Sequence, residues 1–358
     1  MTGEEDKVFD GLKAAALRGV EGAGARLGLY ALENRREEDA LPVLEDMSAK
    51  SQGDATLLHV VGLLHRAVGD LALAIKWLDR ALLVVPDSAR LVHARARSAL
   101  EGGMPSVEWF RRALSIMPND AEIILGLAAA LVAENQVDAA DDLLMSNLKK
   151  HPGWIGGHTV LIQTRYAHDR AGTALDQLDR AIGAAPRDYR LHNVKLAALH
   201  RAAQGMRALE AVSFARQNGA DPVHMQVMTA IIESEYGTRV VADHAFADFD
   251  PFLDANSAVH WLRHKLRRGR ADEVSQSENR MSMPIKSDCW PYLTLAWRLL
   301  GDERASSPGD SRFVRIVDFG DDGGMLASLA NMLRGLHHAV KILFLKIIKN
   351  TLIHSIIV

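Results

Sequence analysis

Apolar residues recur along most of the chain at spacings of three and four, the spacing of one face of an α-helix. Proline interrupts these stretches regularly: Pro86, Pro118, Pro152, Pro186 and Pro222 follow one another at 32, 34, 34 and 36 residues. A proline lacks the backbone N–H and its ring clashes with the preceding turn, so each one is expected to stop a helix. Five stops at nearly one period predict a repeated helical unit.

Each predicted unit is a pair of helices with small and large apolar residues at fixed offsets. Small residues allow two helices to approach closely, and a large apolar residue fills the remaining space. Turn-forming residues separate the two helices, as at 68–70 and 170–172. The predicted packing positions are Gly62, Ala74, Leu78, Ala81, Pro86, Phe110, Ala113, Pro118, Ala128, Ala140, Leu144, Pro152, Ala174, Leu178, Ala181 and Pro186.

A pair of antiparallel helices with these residues at these offsets resembles the tetratricopeptide repeat. The resemblance implies an all-α fold, a right-handed superhelical solenoid of antiparallel helix pairs. It covers residues 21–222, divided into the units 21–54, 55–88, 89–120, 121–154, 155–188 and 189–222.

The segments that flank this array are less regular. Residues 1–20 are predicted to form a capping helix with Val8, Phe9, Leu12, Ala16 and Leu17 on one face. The interval 223–255 is predicted to be a degenerate repeat followed by a hinge that begins at Asp243. After it we expect a helix at 256–268, a polar loop at 274–288 and a helix at 289–300 with Pro291 in its first turn.

A second resemblance covers residues 289–339. The stretch CWPYLTLAWRLLGD (289–302), a predicted strand DSRFVRIVDFG (310–320) and a predicted helix LANMLRGLHHA (329–339) are similar to a junction in bacterial proteins. In those proteins a tetratricopeptide array precedes a 2-oxoglutarate/iron(II) oxygenase domain. The resemblance implies that residues 256–339 are a linker and the entrance to such a domain.

The chemistry of that domain requires three iron ligands, a His-x-Asp/Glu pair and a distant His. None of the fifteen histidines has Asp or Glu two residues later. The sequence therefore predicts no catalytic residues, no metal site and no cofactor, and a chain that ends before the oxygenase core.

Residues 340–358 have a different composition from the rest of the chain. They are rich in isoleucine and lysine and contain no Ala, Gly, Arg, Asp or Glu. Such a change indicates another reading frame or inserted DNA; the alternative is a natural amphipathic helix, or a segment that lies on a membrane surface. Lys346 and Lys349 leave too short an apolar run to span a bilayer.

The amino-acid composition argues against several classes of protein. Hydrophobic residues at 48% and charged residues at 24% are ordinary for a soluble protein, and a net charge of −3 gives no basic field to attract nucleic acid. One cysteine, Cys289, excludes a disulfide framework, and the acidic N-terminus is not a secretory signal. We therefore predict a cytoplasmic protein without a nucleic-acid partner or a firm membrane association.

Three features outside the array are candidate functional sites. His260 and His264, four residues apart, could share a metal ion, but no third ligand is spaced to join them, which favours a surface pair. The basic run at 263–270 could contact phosphates, but no aromatic residues interleave with it, which favours a solvated face. Cys289 adjoins a tryptophan in an apolar stretch and is expected in the core.

In tetratricopeptide proteins the first helix of each unit lines a concave groove. We therefore predict that this chain is a non-catalytic scaffold that binds a protein or an extended peptide. The alternative is a truncated oxygenase whose repeats recruit a protein substrate. The residues expected to line the groove are His59, His93, Arg97, Gln163, Tyr166, Asn193 and His200.

Overall fold

A computed structural model of the protein describes residues 3–50, 53–306 and 328, and every regular element within them is helical. The predicted all-α class is therefore confirmed for these residues. The predicted strand at 310–320, the helix at 329–339 and the tail at 340–358 lie outside the described residues. The chain divides into two compact units, a first unit that extends to Lys150 and a second unit that begins at His151.

The first unit is a series of helices that each pack against the next one along the chain. These are α1 Gly3–Leu17, α2 Ala23–Asn34, α3 Glu37–Lys50, α4 Ala55–Ala67, α5 Leu71–Val84, α6 Ala89–Glu101, α7 Val107–Ile116, α8 Ala121–Ala133 and α9 Val137–Lys150. In addition, α2 packs against α4, α4 against α6, and α6 against α8. The first helices of successive pairs therefore lie side by side.

The second unit repeats this arrangement. Its helices are α10 Ile155–Ala167, α11 Asp176–Ala184, α12 Tyr189–Arg201, α13 Gly205–Gln217, α14 Pro222–Tyr236, α15 Arg239–Ala247, α16 Ala255–Arg267, α17 Ala271–Ser277 and α18 Met283–Leu300. Here α10 packs against α12, α12 against α14, and α14 against α16. The first helices again form one layer, and their neighbouring faces create the site described below.

Small residues bring the helices of a pair into direct contact. A Cβ atom added to Gly62 would lie 2.8 Å from Cγ of Leu78, so only glycine fits there without a shift of the leucine. Apart from the prolines, the other predicted packing residues are all at most 3% exposed: Ala74, Leu78, Ala81, Phe110, Ala113, Ala128, Ala140, Leu144, Ala174, Leu178 and Ala181.

The prolines of the ladder do not all have the same role. Pro86, Pro118, Pro152 and Pro186 lie in turns that follow a helix. Pro222 instead begins α14, so its prediction as a helix stop was wrong. Asp221 caps this helix by accepting a hydrogen bond from the N–H of Val223. A proline fits the first position of a helix, because an N–H group there has no hydrogen-bond partner within the helix.

Two buried histidines hold the turns that contain Pro152 and Pro186. The Nε2–H of His158 donates to the carbonyl of Pro152 at 2.7 Å, and that of His192 donates to the carbonyl of Pro186 at 2.8 Å. Both imidazoles are at most 1% exposed. Each histidine follows its proline by six residues and satisfies a turn carbonyl that would otherwise be buried without a partner.

A left-handed residue joins the two helices of most pairs. Gly69 and Gly103 have positive φ there, but so do Asp169 and Ala203, with φ values of 58° and 53°. The left-handed residue of unit 155–188 is therefore Asp169, and the predicted turn residues 170–172 lie, as expected, between the end of α10 and the start of α11. A Cβ atom in this conformation crowds the following carbonyl oxygen.

The strained turn residue Ala203 supports a test of this arrangement. We expect Ala203→Gly to raise the free energy of unfolding by about 0.5–1 kcal/mol, because glycine adopts positive φ without steric conflict. Its neighbour Ala202 has φ −80°, so Ala202→Gly should lower stability by a similar amount. Urea unfolding followed by circular dichroism measures both changes in unfolding free energy. Changes of the same sign would contradict the left-handed conformation of Ala203.

The N-terminal helix buries a narrower face than its sequence predicts. Phe9 and Ala16 are 1% exposed, whereas Val8 and Leu17 are 45% and 65% exposed. The prediction of one five-residue apolar face was therefore wrong for Val8 and Leu17. The Arg36 guanidinium stacks 3.8 Å from the centre of the Phe9 ring and covers its remaining edge.

Helix extends further through the C-terminal part than expected. α15 takes up residues 243–247 of the expected hinge, whereas residues 248–254 lie outside the α-helices as predicted. The polar loop at 274–288 is occupied by α17 and the first turns of α18. As a result Pro291 lies inside α18, not in its first turn. Buried Leu293 and Trp297 hold the helix against α16, and such tertiary packing outweighs the weak local preference.

Cys289 belongs to this packed face of α18. Its side chain is fully buried, as expected, and burial raises the pKa of the thiol to about 11. A thiol with so little thiolate at neutral pH is a poor nucleophile, so Cys289 contributes packing.

Candidate functional site

The second unit contains a cavity of about 530 Å³ between α10 and α12, which we call the α10–α12 cavity. Both helices are first helices of their pairs. Residues at 155, 159, 162, 163 and 166 line one wall, and residues at 189, 190, 193, 194, 197, 198, 201 and 202 line the other. Spacings of three and four place each set on a single helix face. Met228 of α14 also lines the cavity.

Apolar side chains form most of the wall. Ile155 and Ile162 lie on α10, Val194 lies on α12, and the rings of Tyr166 and Tyr189 add aromatic surface. Pockets that bind an organic ligand are commonly apolar with a few polar groups that fix its orientation.

Tyr189 is held in place at the rim of the cavity. Its ring stacks on the His224 imidazole with 4.3 Å between the ring centres. His224 in turn lies 2.7 Å from the Asp221 carboxylate through Nδ1, and its backbone carbonyl accepts a hydrogen bond from Nδ2 of Asn193 at 3.0 Å. The start of α14 therefore orients two residues of the α12 wall.

Two amide side chains in the cavity have an unused hydrogen-bonding atom. Nε2 of Gln163, a donor, and Oδ1 of Asn193, an acceptor, are both buried and have no partner among the described residues. Gln163 is only 3% exposed. A buried polar group without a partner costs about 1–3 kcal/mol, so a ligand that offers both an acceptor and a donor would be stabilised here.

The charge at the rim is positive. Arg190 is paired with Asp188, with 2.7 Å between the closest atoms. Arg201 lies exposed in the last turn of α12 and has no ion-pair partner among the described residues. None of the described residues that line the cavity is acidic.

The predicted groove residues separate into two groups. Gln163, Tyr166 and Asn193 line the α10–α12 cavity, whereas His200, also on α12, lies outside its lining. His59, His93 and Arg97 belong to the first unit and form no part of this cavity.

In the first unit, the three candidates take part in packing. The His93 imidazole meets the Phe110 ring edge-on at 5.9 Å, and Arg97 is 8% exposed with Glu101 at 3.6 Å. Burial lowers the pKa of His59 and of His93 to about 4, with nearby Arg90 and Arg97 adding to the effect. Both imidazoles are therefore neutral at pH 7.

His200 packs within a group of aromatic rings between α12, α14 and α16. Its ring lies 5.8 Å from that of Tyr236 and 5.5 Å from that of His260, both edge-on. Burial lowers the pKa of His200, and burial together with His200 and Arg263 lowers the pKa of His260 to about 4.

The prediction that His260 and His264 form a surface pair was wrong. They are 8% and 3% exposed, because α16 packs between α14 and α18. His264 pairs with Asp243 at 2.9 Å and lies against Phe246, with 5.5 Å between the ring centres.

The basic run at 263–270 is not simply a solvated face. Arg263 and Arg267 pair with Glu235 at 3.2 and 2.7 Å, and Lys265 pairs with Glu273 at 2.9 Å. Arg268 pairs with Asp243, and Arg270 with Glu273. These charges therefore join α16 to carboxylates on neighbouring helices.

The described residues contain neither a candidate metal site nor a candidate membrane-spanning helix. No group of three or more His, Cys, Asp or Glu side chains there could hold a metal ion. None of the helices there is both long and apolar enough to cross a membrane.

No protein-family model and no curated protein matches the sequence. Solved structures do. YrrB, a tetratricopeptide protein with an unusual peptide-binding site, is 17% identical and covers 51% of this chain and 97% of its own, with a TM-score of 0.40. A tetratricopeptide protein from Parabacteroides merdae is 13% identical, with coverage of 63% and 91% and a TM-score of 0.46. Yeast Tom70 is 13% identical, with coverage of 81% and 66% and a TM-score of 0.48.

Sequence reasoning missed several residues of the α10–α12 cavity, among them Tyr189, Arg201 and Met228. A signal for two of them was present. Tyr189, Asn193, Ala197 and Arg201 follow one another at four-residue intervals, so all four lie on the face of α12 that carries Asn193. Met228 gave no such signal, because it reaches the cavity from the next pair of helices.

Proposed function

We propose that this protein is a non-catalytic scaffold that binds a protein partner through an extended segment held in the α10–α12 cavity. The observation that carries the proposal is the pair of unpartnered amide atoms in a cavity whose wall is mostly apolar. An extended peptide offers both a backbone N–H and a backbone C=O, and neither is used within the segment itself.

The binding mechanism follows from the geometry of the cavity. The N–H of the bound segment donates to Oδ1 of Asn193, and its carbonyl accepts from Nε2 of Gln163. Because Asn193 is already fixed by its bond to His224, little side-chain freedom is lost on binding. The apolar walls then provide most of the buried area, and the two amides set the position of the backbone.

The experiment starts from a phage-displayed library of random 12-residue peptides selected on the immobilised full chain. Selected peptides are synthesised with a fluorescent label, and their dissociation constants are measured by fluorescence polarisation. We expect Ala197→Trp, which fills the cavity, to weaken binding at least tenfold, because the indole occupies the space of the peptide.

Ala184→Trp is the matched control. Ala184 is exposed at the end of α11, outside the cavity lining, so this variant should bind as the parent chain does. Circular dichroism confirms that both variants are folded, and Thr159→Trp on the opposite wall provides a second cavity-filling variant. If the peptides bind all variants equally, or if no peptide is selected, the proposal is wrong.

The alternative of a truncated oxygenase stays a prediction. Of the segments that resemble the oxygenase junction, only 289–302 lies within the described residues, and there it forms the end of α18 and the turn that follows it. That stretch packs through Leu293 and Trp297 and offers no feature of an iron site.

A further inference from the structure

We infer that the α10–α12 cavity selects a segment in which a large apolar side chain lies three to four residues from a carboxylate. The inference rests on the proposed function, because it specifies the chemistry of the segment bound at that same cavity. Its basis is the distribution of apolar surface and charge around the cavity.

The apolar requirement comes from the size and lining of the cavity. A volume of about 530 Å³ exceeds that of any single side chain, so a leucine or an aromatic residue can enter together with its backbone. Ile162 of α10, Val194 of α12 and Met228 of α14 all contribute apolar surface to the cavity lining. Full burial of such a side chain removes its apolar surface from water, which favours binding.

The carboxylate requirement comes from the two arginines at the rim. Arg190 already shares its charge with Asp188, whereas Arg201 has no carboxylate within ion-pair distance among the described residues. A guanidinium binds a carboxylate through two parallel N–H donors, so Arg201 is the arginine open to a ligand. Arg201 lies two turns of α12 beyond Asn193, about 12 Å along the helix axis, which an extended segment spans in three to four residues.

The same cations could attract the phosphates of a nucleic acid, but the cavity is better suited to a peptide. Nucleic-acid sites follow the phosphate backbone with several cations, whereas this cavity has one unpaired arginine beside aliphatic walls. The unused donor and acceptor also match the C=O and N–H groups of a peptide backbone. A bound RNA is therefore an outcome that the test must be able to detect.

The test compares three forms of one selected peptide, in which the acidic residue nearest the apolar anchor is kept, replaced by its amide, or replaced by lysine. On the full chain we expect the amide form to bind three- to tenfold more weakly than the acidic form, and the lysine form more weakly again. On Arg201→Glu this order should reverse, with the lysine form the tightest. Arg180→Glu, an exposed α11 arginine outside the cavity, makes the same charge change and should keep the original order.

The outcomes separate this inference from the proposed function. If the peptides lose affinity on Ala197→Trp but show no charge preference, or if Arg201→Glu leaves the order unchanged, the inference is wrong and the proposed function stands. If Ala197→Trp does not weaken peptide binding, the proposed function itself is wrong. Displacement of the acidic peptide by a 12-nucleotide oligoadenylate RNA, with loss of RNA binding on Arg201→Glu, would overturn the inference in favour of a nucleic-acid ligand.

Discussion

Phe110→Ala should destabilise the first unit by about 3–5 kcal/mol, the usual effect of removing a fully buried aromatic ring. Phe110 is fully buried on α7 and lies against the backbone of α8 at Gly126. A Cβ atom on Gly126 would be only 2.2 Å from the Phe110 ring. The ring and the glycine therefore form one contact, which sets how closely α7 and α8 approach.

The double substitution tests this contact directly. In the parent chain Gly126→Ala should cost about 1–3 kcal/mol, because the rigid ring cannot make room for a methyl group. In the Phe110→Ala background the same change should be neutral or stabilising, since the methyl group enters vacated space and alanine favours helix. Urea unfolding of the four proteins gives the coupling energy, which we expect to be about 2 kcal/mol or more.

Gly11→Ala is the control for this cycle. Gly11 lies on the exposed side of α1, and a Cβ atom there would meet nothing within 4 Å. Its replacement by alanine should raise the free energy of unfolding by about 0.5–1 kcal/mol in either background, because only helix propensity changes. If Gly126→Ala behaves as Gly11→Ala does, or has the same effect in both backgrounds, the close approach of α7 and α8 is refuted.

The pairing of helices could be predicted because its determinants are local. Ala74 and Leu78 lie within one 34-residue unit, and their spacing alone places them on the inner face of α5. Prolines were harder to interpret. Pro222 was predicted to stop a helix but begins α14, and Pro291 was predicted in the first turn of a helix but lies inside α18.

The candidate site was harder to predict because its chemistry depends on partners that are distant in sequence. Arg190 and Arg201 both lie on α12, and only the structure distinguishes the paired arginine from the open one. Likewise the partner of His264 is Asp243, 21 residues earlier, and that of Arg267 is Glu235, 32 residues earlier. A periodic pattern identifies the face of a helix but not which of its polar groups is already bonded.

The buried imidazole of His260 should make the second unit less stable in mild acid. Its pKa is about 4 in the folded chain, against 6.5 for an exposed histidine. As the pH falls below 6.5 the unfolded chain binds a proton that the folded chain does not, so the free energy of unfolding decreases until about pH 4. From this residue alone we expect a loss of about 2 kcal/mol between pH 7 and pH 5.

Burial above all, and then the neighbouring His200 and Arg263, make protonation of His260 unfavourable. Glu235 lies 3.6 Å away, but Arg263 and Arg267 already pair with that carboxylate, and His200 packs against the other side of the ring. His260→Phe keeps an aromatic ring and cannot be protonated. In this variant the loss of unfolding free energy between pH 7 and pH 5, measured by urea unfolding, should therefore be about 2 kcal/mol smaller than in the parent chain. His244→Gln, at an exposed position of α15, is the control and should leave it unchanged. An equal pH dependence in the parent and His260→Phe chains would show that His260 is accessible to protons in the folded state.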